Sequence, residues 1–159
     1  ATCRQPKKNP VDFVNSVKKM SNHTPPASPH DEVQGYVYFA RLCSKIRLHA
    51  SGDLDPEFYP NMGKGMDLWT CQLLHVEYTD LQKVIIDGAS DQEALEWCWK
   101  NGTQPNEHEL EWWNSYMRNR CFRDDLSEVL VRRKKESGWQ DRDEIITMFD
   151  YLDADDGRL

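Results

Sequence analysis

Residues 36–50 constrain the fold of this chain more than any other stretch. On a helical wheel at about 100° per residue, Phe39, Leu42, Cys43, Ile46 and Ala50 form one apolar face, while Val37, Ala40 and Leu48 cluster on the opposite side. A helix that is apolar on two faces belongs between neighbours rather than on a surface. The segment therefore predicts a central helix that ends at Ser51-Gly52, where glycine supplies a left-handed stop. The same segment carries cations. Arg41 falls within about 40° of Val37 and Leu48 on the wheel, and Lys45 lies one turn further on, beside Tyr38. A buried cation must be paired, because leaving it unpaired costs several kcal/mol. Either an internal carboxylate or a bound anion can do this, and the planar fork of Arg41 suits both.

The rest of the chain reads as further helices. Asn9-Pro10 has the form of an N-cap and first helical position, and Val11, Phe13, Val14 and Val17 follow. A Ser, Asn, Thr and Pro-rich linker covers 21–29. Ser28-Pro29 then opens a new element whose Asp31 and Glu32 suit a helix N-terminus, with Gly35 interrupting it. Residues 53–65 hold Pro56, Pro60, Gly63 and Gly65 and predict one long irregular loop, of the kind that often carries function. Helices are expected at about 66–76, from a Thr79 cap to Gly88, from the Ser90-x-x-Glu93 capping box to Gly102, at about 106–120, from 124 to 136, and from 141 to 152. No period-two alternation calls for a strand. The expected fold is all-α: a flexible tail over 1–9, a compact single domain of about eight helices over 10–155, and a short tail over 156–159.

Composition narrows the function classes. The formal net charge of −7 argues against a nucleic-acid or anionic-membrane surface, which needs a basic face. No apolar run approaches the roughly 20 residues of a membrane span. The five cysteines are odd in number, widely spaced and without a C-x-x-C pair, which fits small buried hydrophobes in a reducing, cytoplasmic setting. Glu107-His108-Glu109 with Glu111 lacks the repeated ligand motif of a metal-binding bundle. Asp150, Asp153, Asp155 and Asp156 miss the spacing of a calcium loop. Neither a metal nor a cofactor is expected, and no nucleotide-binding or serine-nucleophile motif occurs.

Two functional readings remain. In the first, a small anionic molecule carrying a carboxylate or phosphate binds beside the 36–50 helix under the 53–65 loop. Arg41 orients it, Lys45 adds charge and Tyr38 donates a hydroxyl. If chemistry follows, His49, Tyr36 or Asp67 handles the proton, without a cofactor. In the second, the chain is a non-catalytic interaction or regulatory module. Trp112 sits opposite the Leu110–Met117 stripe, so it either packs on a second neighbour or presents an exposed aromatic surface to a partner or a second copy of the chain.

Ser28-Pro29-His30-Asp31, then Gly35-Tyr36-Val37, then Arg41-x-x-x-Lys45-x-Arg47, with Ser90-Asp91-Gln92-Glu93 leading to Trp97, resembles the bacterial domain of unknown function 5069. The resemblance spans about residues 25–155 and implies the fold and its extent, but no activity. Ala40 and Ser44 depart from the Pro and Asp of the family pattern, which implies a divergent member.

Overall fold

The computed structural model describes residues 23–159. The helix expected from Asn9-Pro10 and the tail over 1–9 lie outside the described residues. Among those described, the chain forms seven α-helices, one 3-10 helix and a two-stranded hairpin. The all-α expectation holds, and the hairpin is the exception. It joins β1 (Glu32–Val33) to β2 (Tyr36–Val37), with Glu32 opposite Val37 and Val33 opposite Tyr36. Gln34 (φ 46°) and Gly35 (φ 84°) make the turn. Two successive positive φ values fit the twist of a tight hairpin, so Gly35 reverses a strand rather than interrupting a helix. Asp31 and Glu32 accordingly do not start a helix.

Tyr38 then takes a left-handed conformation (φ 70°) and caps α1 (Phe39–Ser51). This conformation costs energy for a bulky residue, and Tyr38 is held in it at several points. Its amide donates to the Pro29 carbonyl and its carbonyl accepts from Leu42, while its ring stacks on Phe149 at 6.2 Å. Helix α1 ends at Gly52 as expected. It is buried from Phe39 to Cys43 and again at Lys45 and Ile46, and it packs against α3 (Tyr78–Ile86) and α4 (Asp91–Asn101). The two apolar faces thus place it centrally.

The 53–65 loop contains a 3-10 helix over Pro56–Asn61, capped by the Asp55 carboxylate. Helix α2 (Met66–Leu74) follows. Thr79 lies inside α3, which is preceded by Glu77 without a side-chain cap. The Ser90–Glu93 capping box opens α4 as predicted. Helix α5 (Glu107–Asn119) has a second capping box, between Asn106 and Glu109. Helix α6 spans Ser127–Glu136. Helix α7 (Met148–Asp155) begins later than expected, because Thr147 and Asp150 form its capping box and 140–146 run as turns.

The main core joins α1 to residues of the hairpin and of α2–α5, with Phe149 from α7. A smaller cluster around Leu130, Ile145 and Tyr151 seats α6 against α7. One side of α5 clamps the hairpin. Asn114 accepts from the Val37 amide at 3.2 Å and donates to the Gly35 carbonyl at 2.7 Å, and Arg118 pairs with Glu32 at 2.5 Å.

Candidate functional site

Three residues singled out in the sequence meet beneath α1. Lys45 donates to Asp67 Oδ1 at 2.5 Å and to the Tyr38 hydroxyl at 3.1 Å, and that hydroxyl donates to the same carboxylate oxygen at 2.9 Å. The other oxygen, Asp67 Oδ2, accepts the Gly63 amide at 3.0 Å. Asp67 lies in the first turn of α2. All three side chains are buried. Burial pushes the Tyr38 hydroxyl well above its ordinary range, reinforced by the Asp67 charge. Burial also lowers the Lys45 ammonium, against the opposing pull of Asp67.

Arg41, one turn before Lys45, is only 1% exposed. Its Nη1 donates to Asp156 Oδ2 at 2.5 Å and to the Ala27 carbonyl at 2.9 Å, and Phe58 of the 3-10 helix covers the guanidinium at 5.7 Å. The protein's own groups therefore crowd the place where the sequence reading put an anion. Phe58 thus brings the 53–65 segment against Arg41. Asp156 also accepts from Arg158, which reaches Asp153 and the Pro26 carbonyl, and Asp153 accepts from Ser28. Residues 156–159, expected as a tail, thus tie the C-terminal segment to the linker before the hairpin.

The remaining two candidates stand apart. Tyr36 is buried against Trp99 at 6.0 Å, and burial raises its hydroxyl. His49 is exposed at the end of α1, with Tyr59 packed edge-on at 4.7 Å. Neither touches the Lys45 cluster.

A groove of about 460 Å³ opens elsewhere, and none of its lining residues is one of these six. Along one wall runs the face of α5 that bears Glu109, Trp112, Trp113 and Tyr116. Their spacing of three and four residues stacks them on one side of the helix. The other wall is Leu73 and His75 from the end of α2, with Thr103 and Pro105 from the turn before α5. That wall depends on Gly102, where a Cβ would meet the Leu74 carbonyl oxygen at 2.0 Å. The close approach lets the Thr103 amide donate to Leu74 O at 2.8 Å and seats the Thr103 hydroxyl 2.9 Å from His75 Nδ1. Trp112 is 69% exposed and Tyr116 45%, while Trp113 is buried at 8%. Helical spacing placed Trp112 off the core stripe, but the α2 wall is distant in sequence and left no local signal.

A helical domain built on a two-faced central helix, with its charges satisfied inside and an aromatic groove outside, is the class of protein that this fold defines. The chain belongs to DUF5069, a family described as a domain of unknown function, whose profile it matches over residues 23–158. No curated protein and no solved structure matches it. Among the described residues no group of His, Cys, Asp and Glu is arranged to hold a metal, and no helix is long and apolar enough to cross a membrane.

Proposed function

We propose that this protein is a binding module whose ligand lies in the aromatic groove along α5, and that it works without catalysis of its own. The exposure of Trp112 over a formed concavity carries this reading. An indole left 69% in water beside a groove of about 460 Å³ keeps apolar area that a ligand in the groove can bury. Exposed aromatics of this kind supply much of the energy at binding sites, and the volume falls in the range of small-molecule and side-chain pockets. We place the protein in a reducing cytoplasm, which suits the four buried free thiols among the described residues.

The alternative is a small anionic molecule beside Arg41. It is favoured by one observation: two buried cations, Arg41 and Lys45, lie one turn apart on α1. A fragment collection screened by ligand-observed NMR separates the two readings, using Trp112→Ala and Arg41→Met variants checked for fold by circular dichroism. The groove reading expects binding to be lost in W112A and kept in R41M. Hits that survive W112A and vanish in a folded R41M would move the site to α1.

A further inference from the structure

We infer that the groove along α5 receives an organic cation, of the quaternary-ammonium class. This inference rests on the groove being the binding site, and it adds the chemistry of the ligand. The argument comes from what faces the cavity. Three aromatic rings, Trp112, Trp113 and Tyr116, share the wall with the Glu109 carboxylate, and neither lysine nor arginine lines the groove. The negative face of an aromatic ring attracts a cation within about 6 Å of its centre, and Trp does so most strongly. A carboxylate at the edge adds long-range attraction that a neutral apolar pocket lacks. A quaternary ammonium also has no N–H to satisfy, so it asks for no hydrogen-bond acceptor from the groove.

One oxygen of Glu109 accepts the Asn106 amide at 2.8 Å in the capping box, which fixes the carboxylate without neutralising it. His75 is occupied by Thr103. One of the three rings already meets a cation of the protein, which leaves Trp112 as the ring most open to a ligand. The Arg120 guanidinium lies 4.7 Å over Tyr116 and 5.2 Å over Trp69, and its charge is balanced by Asp124 and Asp125 at 2.9 and 3.1 Å. An anion in the groove would face Glu109 with no counter-charge among the lining residues.

Isothermal titration of the full chain with choline tests this, against 3,3-dimethylbutanol, which has the same shape and no charge. The expected result is choline binding about five-fold or more tighter than the alcohol, from roughly one kcal/mol of cation–ring attraction. Two variants localise the effect. Trp112→Leu keeps apolar area but removes the ring, and should erase most of the preference. Glu109→Gln keeps the capping box and should weaken choline several-fold while leaving the alcohol unchanged. If the alcohol binds as well as choline, the cation inference fails and the groove reading stands. If neither ligand binds, the cation inference is overturned, and the fragment screen decides the groove reading separately.

Discussion

Lys45 and Asp67 carry the sharpest energetic consequence among single side chains, because each leaves the other charged and buried. Replacing Lys45 by Met strands the Asp67 carboxylate, and breaking a buried pair costs about 3–5 kcal/mol. Urea unfolding of Lys45→Met should show a loss of that size. The double variant Lys45→Met/Asp67→Leu should recover most of it, since it removes both buried charges. Tyr38→Phe removes only a hydroxyl from the cluster and should cost about 0.5–1.5 kcal/mol. If Lys45→Met proves as mild as Tyr38→Phe, the ion pair is not holding α1 to α2. The wheel marked Arg41 and Lys45 as candidates for partial burial, and both side chains lie buried. It did not foretell their partners. Asp67 lies 22 residues from Lys45 and Asp156 lies 115 from Arg41, and no periodicity reports a contact across such separations. His49 shows the limit from the other side, as its place on a helix end said nothing about which side chain would meet it.

At the scale of elements, the most informative junction is the one between α2, α4 and α5. The Ser90–Glu93 box and Gly102 bound α4 as the sequence indicated, because capping chemistry is local. The Asn106–Glu109 box works the same way, although only the helix it opens was read from the sequence. The hairpin was not. Two-residue strands are too short for an alternation to register, and the Gln34-Gly35 turn draws its meaning from Asn114, far along the chain. The start of α7 was misplaced because its apolar residues continue a pattern that Thr147 and Asp150 cut short. Gly102 invites a direct test. In Gly102→Ala the added Cβ would meet two backbone carbonyls, of Leu74 and His75, which cannot yield as a flexible side chain would. Calorimetry should find the variant less stable by about 2 kcal/mol or more, and because Gly102 seats the α2 wall, ligand binding in the groove should weaken with it. A variant that is destabilised but binds normally would show that the wall does not need this contact.

For the whole molecule, the buried thiols and phenols set the response to alkali. Burial pushes Cys71 and Cys98 up to about 12 from an ordinary 9.0, and it also raises Cys43, Tyr38 and Tyr78. Between those limits the unfolded chain has released thiol protons that the folded chain still holds. Stability is therefore full below pH 9 and falls as pH rises, by up to about 1.4 kcal/mol per unit for each thiol, with the phenols adding to the slope from about pH 10. Lys45 opposes this, since its lowered value means that the folded state loses its proton first, but it is one group against several. Urea midpoints should drop steadily above about pH 9, and Cys71→Ala should flatten the curve. A profile that stays level to about pH 11 would contradict the burial of these groups.

The same division between a sealed interior and an aromatic exterior is what the account of function rests on, and amide and indole chemical shifts test it most directly. Labelled protein titrated with the fragments that bind should show shifts concentrated at Thr103, Trp112, Trp113 and Tyr116, with the amides of Arg41, Lys45 and Asp67 unmoved. Shifts centred on Arg41 and Lys45, with the Trp112 indole unchanged, would contradict it.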